Sequence, residues 1–131
     1  RSRPYLFSNA LPPSIVAASL KALEIIEVDS ERRARIATNA SYFRSQIKNL
    51  GYTVIGDDHP ITPVMLGDAK IAQQMSKLLL AKGLYAIGFF FPVVPKGQAR
   101  IRLQITSEHK QDELDKAVTI FEEVGKELGV I

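Results

Sequence analysis

Residues 99–106 alternate strictly between apolar and polar side chains, and no other feature of the sequence limits the fold as narrowly. The apolar set consists of Ile101, Leu103 and Ile105, and the polar set consists of Arg100, Arg102, Gln104 and Thr106. A period of two predicts a strand with one buried side and one side that faces solvent. A sheet built from such a strand needs helices against its buried face, so we expect two layers, one of helices and one of strands.

The rest of the chain supplies the partners that this strand needs. Apolar residues spaced three and four apart predict helices, and β-branched runs between turn residues predict strands. Helices are predicted over residues 14–26, 30–50, 69–81 and 108–128, and further strands over residues 52–55, 61–66 and 84–91. The expected fold class is therefore α+β, a mostly antiparallel sheet with helices on one face, preceded by an N-terminal arm and a long helix.

The helix predicted over residues 14–26 is apolar around nearly its whole circumference. A helix of this kind must be covered by other protein, because no face of it suits water. The pattern therefore indicates that part of the surface packed against this helix is supplied from outside the sequence.

Composition and missing motifs narrow the classes of function. The absence of cysteine excludes disulfides and thiolate metal sites, and His59 and His109 lack the spacing of metal ligands. The net charge of +3 is spread along the chain, and no apolar run is long enough to span a bilayer, so neither a nucleic acid nor a membrane is an expected partner. Glycine-rich phosphate loops and the G-x-S-x-G motif do not occur.

Two places carry side chains suited to binding. Arg102, on the polar face of a half-buried strand, offers a planar fork that matches a carboxylate, although the position also suits a surface arginine paired with an acid. Ser8 and Asn9 precede the start of a helix, where a hydroxyl and an amide can bind a phosphate together with helix N-terminal N–H groups. The same two residues also suit a helix cap or a turn.

Three segments of the sequence resemble a known family. Residues 3–9 read Arg-Pro-Tyr-Leu-Phe-Ser-Asn, residues 56–61 read Gly-Asp-Asp-His-Pro-Ile, and residues 91–102 read Phe-Pro-Val-Val-Pro-Lys-Gly-Gln-Ala-Arg-Ile-Arg. They resemble the C-terminal part of the glycine C-acetyltransferases, also called 2-amino-3-ketobutyrate coenzyme A ligases. These enzymes belong to the α-oxoamine synthases, which are fold-type I pyridoxal-phosphate enzymes. The resemblance extends over the whole chain.

The resemblance implies a homodimeric enzyme that condenses glycine with acetyl-CoA and uses pyridoxal 5'-phosphate as its cofactor. It implies that Arg102 holds the carboxylate of the amino acid substrate. It also implies that Ser8 and Asn9 contact the cofactor phosphate of the other subunit. The family's Schiff-base lysine lies upstream of this sequence, so the chain is expected to be a fragment that holds no catalytic residue and is inactive alone.

The resemblance also implies how the chain is organised. Residues 1–28 are expected to be an arm and interface helix that belongs with a missing large domain, and residues 29–131 a C-terminal α+β domain. The expected partners are that large domain and a second subunit, in the cytoplasm or a mitochondrial matrix. The sequence departs from the family at Ala10, where serine is more frequent, and at Lys110, where a helix-capping hydroxyl is usual.

Two alternative functions stay open at this point. Another α-oxoamine synthase, such as 8-amino-7-oxononanoate synthase or 5-aminolevulinate synthase, shares the general pattern, although the run over residues 91–97 favours the ketobutyrate ligase. A free-standing α+β ligand-binding module is also compatible with the size of the chain. Such a module leaves the arm and the apolar first helix without an explanation.

Overall fold

The computed structural model describes residues 11–57 and 59–131, and its elements follow the predicted order. The helices are α1 (Pro13–Val28), α2 (Ser30–Asn49), α3 (Ala69–Ala81) and α4 (Gln111–Glu127), and the strands are β1 (Thr53–Val54), β2 (Ile61–Gly67), β3 (Ile87–Phe89) and β4 (Ala99–Gln104). The predicted α+β class is confirmed. Residues 1–10, most of the predicted arm, lie outside the described part of the chain.

The strands form one antiparallel sheet in the order β1, β2, β4, β3. At its centre β2 pairs with β4, and Val64 lies opposite Ile101 and Thr62 opposite Leu103. The alternation predicted for β4 is confirmed, because Ile101 and Leu103 are buried while Arg102 is exposed. One face of the sheet is therefore packed and the other is open in the described part of the chain.

Helices α2, α3 and α4 contribute to the core on the packed face. The largest fully buried apolar side chains of these helices and of β2 and β4 are Phe43, Phe121, Ile47, Met75, Leu79, Ile101, Val64 and Val124. The ring of Phe121 lies edge-on to the rings of Phe43 and Tyr52, with centroids 6.2 and 5.8 Å away. Burial of this apolar surface is the main term that stabilises such a domain.

Helix α1 belongs to the first of two compact units, residues 1–33 and 34–131. None of its side chains is buried, and Leu20 and Leu23 are each 63% exposed. An exposed apolar helix favours association with further protein. No helix of the described residues has both the length and the apolarity that crossing a membrane requires.

Strand β3 is shorter at both ends than the strand predicted over residues 84–91, so those bounds were wrong. At its start the carbonyl of Ala86 accepts a hydrogen bond from Ser76 Oγ at 2.7 Å. At its end the carbonyl of Phe90 accepts one from the N–H of Val93 at 2.9 Å and begins a turn. Both hydrogen bonds occupy backbone carbonyls that strand pairing would otherwise use.

Helix α4 begins three residues later than predicted. The N–H of Glu108 donates to Thr106 Oγ1 at 3.3 Å, which forms a turn before the helix. The carboxylate of Glu113 accepts the N–H of Lys110 at 2.8 Å, while the Lys110 side chain makes no capping hydrogen bond. The missing hydroxyl at Lys110 is thus offset by Glu113, which satisfies one of the backbone donors at the helix start.

Arg44 is a buried charged residue that the sequence patterns did not single out. It is 4% exposed, and its guanidinium donates to the carbonyls of Ile55, Gly56, His59 and Ile61 at 2.7 to 3.0 Å. Charge-assisted bonds of this kind are stronger than neutral ones. Arg44 therefore fixes the connection between β1 and β2 and holds the start of the strand that pairs with β4.

Tyr52 and Gly125 make a close contact between helix α4 and the segment before β1. The Tyr52 side chain is 5% exposed, and its hydroxyl donates to the carbonyl of Phe121 at 2.8 Å. Burial raises the pKa of Tyr52 to about 12. Gly125 lies directly against that hydroxyl, and this close approach leaves no room for a side chain.

Replacing Tyr52 with Phe removes the donor to the Phe121 carbonyl, and we expect it to lower the unfolding free energy by about 1–3 kcal/mol. The folded state keeps the tyrosine proton at a pH where the unfolded state, with a pKa of about 10, releases it. The stabilisation is therefore complete below pH ~10 and is lost as the pH rises through about 12. Denaturant unfolding over pH ~8 to ~11 should show a steeper alkaline loss in the wild type than in Tyr52→Phe. Parallel curves would contradict this assignment.

Replacing Gly125 with Ala should destabilise the domain, although alanine stabilises a helix by roughly 1 kcal/mol relative to glycine. The added Cβ would overlap the Tyr52 hydroxyl and lie 2.9 Å from Ile131 Cγ1. Overpacking costs typically ~1–3 kcal/mol, and we expect the net effect to be a lower thermal unfolding midpoint. Thr119→Ala, at an exposed position of the same helix, is the control. A midpoint equal to that of the wild type would show that the contact can relax.

Candidate functional site

Arg102, predicted to bind a carboxylate, lies on β4 on the open face of the sheet. The strand places it there because its neighbours Ile101 and Leu103 point into the core. Ile87 of β3 lies directly opposite it. The guanidinium carbon of Arg102 is 4.2 Å from the centroid of the Phe89 ring, so the cation lies over an aromatic face.

Within residues 11–57 and 59–131, Arg102 has no hydrogen-bond or ion-pair partner. Arg100 lies on the same face and differs, since its Nε donates to the Gln98 carbonyl and its Nη2 to Gln98 Oε1, both at 3.0 Å. A guanidinium with unused N–H groups can bind a carboxylate through two parallel hydrogen bonds. The strand thus carries one arginine that is held by the protein and one that is available.

A cavity of about 570 Å³ opens beside Arg102. Core residues form much of its lining, among them Phe43, Leu103, Ile105, Leu114, Ala117 and Ile120. The polar and charged residues that line it are Tyr85, Arg102, Gln104, His109, Glu113 and Lys116. This volume falls in the range of sites that hold small organic molecules.

The late start of β3 leaves room for this cavity. Because the first residue of β3 that pairs is Ile87, opposite Arg102, the end of β4 has no strand neighbour on that side. The turn that follows β4 is held by hydrogen bonds. The N–H of Thr106 donates to His109 Nδ1 at 3.2 Å, and Asn39 Nδ2 donates to the carbonyls of Thr106 and His109. A neutral His109 that accepts at Nδ1 carries its proton on Nε2.

This arrangement suits binding and orientation rather than proton transfer. The carboxylate of Glu113 already accepts the N–H of Lys110 at 2.8 Å, as part of the helix start. No group of three or more side chains that could hold a metal ion occurs in the described residues. A planar cation beside a partly apolar cavity is the recognition chemistry of a small carboxylate.

The described residues do not by themselves form a site for pyridoxal phosphate. All lysines of the chain lie in its described part, and every one of them is exposed. A lysine that forms a Schiff base is usually activated by burial or by a neighbouring cation. Lys116 lines the cavity but lies exposed on helix α4, so it does not meet that requirement by burial.

The contacts predicted for Ser8 and Asn9 are not tested by the described structure. Ser8 and Asn9, predicted to contact a cofactor phosphate, lie outside the described residues. Lys96 lines a second cavity of about 380 Å³, and its Nζ lies 5.2 Å from the centroid of the Phe91 ring. That lysine is exposed, as is usual for a lysine on a surface loop.

Phe89 was missed as a site residue. The run over residues 84–91 is apolar almost throughout, and the register of a strand pair has no local signature in such a run. One signal was present: Gly88 has no side chain, and a Cβ there would lie 3.0 Å from the Ala72 carbonyl oxygen. A glycine within a strand often marks a close approach of another backbone segment. Gly88 would then face the packed side of the sheet, and the next residue, Phe89, would face the open side with Arg102.

Comparison with known proteins gives a family match. The model of the family "Aminotransferase class I and II" matches residues 1–121. Over its full length the chain is 55% identical to 2-amino-3-ketobutyrate coenzyme A ligase of Escherichia coli K12 and covers 33% of that protein. It is 47% identical over its full length to a Thermus thermophilus protein named 8-amino-7-oxononanoate synthase/2-amino-3-ketobutyrate coenzyme A ligase, again covering 33%.

A solved structure shows the same fold. Serine palmitoyltransferase from S. paucimobilis, with a bound PLP-myriocin aldimine, superposes with a TM-score of 0.92 at 32% sequence identity. The match covers 98% of this chain and 33% of that one. The chain therefore spans about a third of the length of the relatives it matches.

An arginine-specific reagent should distinguish Arg102, Arg100 and Arg44 by how accessible their guanidinium groups are. We expect phenylglyoxal to modify Arg102 first, Arg100 more slowly, and Arg44 last. Arg102 is exposed and its guanidinium makes no hydrogen bond within the described residues, whereas the guanidinium of Arg100 donates to Gln98. Arg44 is buried, and its guanidinium donates to four backbone carbonyls. Peptide mass spectrometry over a time course measures the order, and modification of Arg44 as fast as Arg102 would contradict the structure.

Proposed function

Since the chain belongs to the aminotransferase class I and II family, we propose that it is the C-terminal part of a pyridoxal-phosphate-dependent glycine C-acetyltransferase. The intact enzyme condenses glycine with acetyl-CoA to give 2-amino-3-ketobutyrate and CoA. The proposal is supported by 55% identity over the whole chain to a 2-amino-3-ketobutyrate coenzyme A ligase. A single structural observation carries it: the guanidinium of Arg102 is exposed, lies over Phe89 and has unused donors.

In this function Arg102 binds the carboxylate of glycine. Two parallel N–H···O bonds fix the plane of the carboxylate, and the rigid strand fixes the position of the fork. The substrate Cα is then held in one orientation, so that the same C–H bond is presented for proton loss each time. This is a positioning effect, and such effects can lower a barrier by several kcal/mol.

The reaction forms a bond between the glycine Cα and the acetyl carbonyl carbon, and it breaks the thioester C–S bond. The α-proton leaves glycine, and the sulfur departs as the thiol of CoA. Pyridoxal phosphate, when bound, supplies an electron sink for the charge left after the α-proton is lost. The residues described here contribute the carboxylate anchor and one wall of the substrate site.

The remaining parts of the site are proposed to come from elsewhere in the full-length protein. All lysines of this chain are exposed, which supports a Schiff-base lysine in the preceding part of the polypeptide. Ser8 and Asn9 are proposed to contact the cofactor phosphate of a second subunit. Residues 1–28 are proposed to pack with the large domain or that subunit, which agrees with the exposure of the apolar helix α1. The intact dimer is proposed to reside in the cytoplasm or a mitochondrial matrix.

A second function is favoured by one specific finding. The Thermus thermophilus relative carries both the name 8-amino-7-oxononanoate synthase and the name 2-amino-3-ketobutyrate coenzyme A ligase. An acyl donor longer than acetyl-CoA is therefore a second candidate substrate. Thiol release from acetyl-, succinyl- and pimeloyl-CoA by the full-length protein, with and without the amino acid, distinguishes these activities. Absence of glycine-dependent release from acetyl-CoA would refute the proposed function.

Replacing Arg102 with Gln in the full-length enzyme should raise the KM for glycine about 10- to 100-fold, because hydrogen bonds to a charged group contribute about 1.5–3 kcal/mol. The KM for acetyl-CoA and the amount of bound cofactor should stay close to the wild-type values. Steady-state kinetics and the cofactor absorbance measure these quantities.

Arg100→Gln is the matched control, because Arg100 lies on the same face of the same strand and is already held by Gln98. It should change the KM for glycine far less than Arg102→Gln does. Equal effects of the two substitutions would show that general positive charge, and not the available fork, attracts the substrate.

A further inference from the structure

We propose that Phe89 is a positioning residue that sets the orientation of Arg102 toward the carboxylate of the substrate. This inference rests on the proposed function and deepens it, because it says how the anchor is held ready. Phe89 lies opposite Arg100 in the register of β3 and β4, and it is the diagonal neighbour of Arg102 on the open face. Diagonal neighbours on one face of an antiparallel pair are within reach of aromatic and long side chains.

An aromatic ring is suited to hold an arginine that must stay available. The ring attracts the guanidinium through its face, and the contact at 4.2 Å uses none of the N–H groups. Arg100 shows the other way to hold an arginine, since Gln98 occupies both its Nε and Nη2 donors. A carboxylate partner from the protein would occupy the donors and also cancel the charge that attracts the substrate.

The ring itself is held by the backbone of β3. Ile87, Gly88 and Phe89 pair with β4, and this pairing fixes the direction in which the Phe89 side chain leaves the strand. On the other side of β3, Gly88 lies so close to helix α3 that a Cβ would be 3.0 Å from the Ala72 carbonyl oxygen. Strand β3 is therefore held between β4 and α3. Because the backbone at Phe89 is fixed in this way, its ring can restrict the side chain of Arg102.

Restriction of Arg102 before binding lowers the entropy lost when the substrate arrives. An immobilised long side chain costs a binding event typically ~0.5–1.5 kcal/mol, and prior ordering removes part of that cost. Phe89 thus affects the affinity for the amino acid and does not change the affinity for the acyl donor. This selectivity separates a positioning role from a merely structural one.

The test uses the full-length holoenzyme and the variants Phe89→Leu and Phe89→Tyr. Glycine is titrated, and its dissociation constant is read from the change in cofactor absorbance without acetyl-CoA. Steady-state kinetics give both KM values. We expect Phe89→Leu to raise the dissociation constant and KM for glycine roughly three- to thirty-fold, with the KM for acetyl-CoA unchanged. Phe89→Tyr keeps the ring and should stay within about two-fold of the wild type.

Four results would overturn the inference. Glycine binding by Phe89→Leu that equals the wild type would show that the ring does not position the anchor. An equal rise in both KM values, or a defect as large in Phe89→Tyr, would show a structural role. A further loss from Phe89→Leu in an Arg102→Gln background would show that Phe89 acts through another group.

Two controls keep the outcome interpretable. Thermal unfolding of each variant establishes that it folds, and Phe89→Met provides a second non-aromatic side chain if Phe89→Leu is unstable. A wild-type enzyme whose absorbance does not respond to glycine would refute the proposed function and this inference together. A responsive wild type with an unaffected Phe89→Leu refutes the inference alone.

Discussion

The structure depends above all on the pairing of β2 with β4. That pair lies at the centre of the sheet, and its register sets Val64 opposite Ile101 over the core. Because side chains alternate along a strand, a slip of one residue would turn every core residue of β4 to solvent and every polar one to the core. Burial of one set therefore fixes the other, and Arg102 faces outward because Ile101 and Leu103 face inward.

Other interactions support this pairing and give the site its shape. Arg44 binds four carbonyls around the start of β2 and so holds the strand that carries half of the central pair. The Ser76 hydroxyl donates to the carbonyl of Ala86, just before β3 begins. The end of β4 therefore has no strand neighbour on the side where the cavity lies. The open sheet face and helix α1 remain as surfaces suited to contact with further protein.

Much of this architecture could be predicted from the sequence. The alternation over residues 99–106 predicted β4 and the outward position of Arg102, and periodic apolar stripes predicted the order of the elements. These signals are local, because each depends only on which face of one element is buried. The placement of Ser8 and Asn9 and the division of the chain near residue 28 stay predictions.

The features that were missed depend on contacts between elements. Arg44 looks like an ordinary polar residue of helix α2, since nothing local indicates that carbonyls from a distant loop surround it. The contact of Phe89 with Arg102 requires the register of two strands, and the start of β3 depends on Ser76 of another element. Tertiary interactions of this kind override local propensity and leave little trace in a single sequence.

Arg102 is proposed to be the anchor for the carboxylate of the substrate. A crystal structure of the full-length protein with pyridoxal phosphate and glycine tests it most directly. We expect two Arg102 nitrogens at about 2.7–2.9 Å from the two carboxylate oxygens, with the guanidinium still over the ring of Phe89. A glycine carboxylate bound by other residues, with Arg102 turned to solvent, would contradict it.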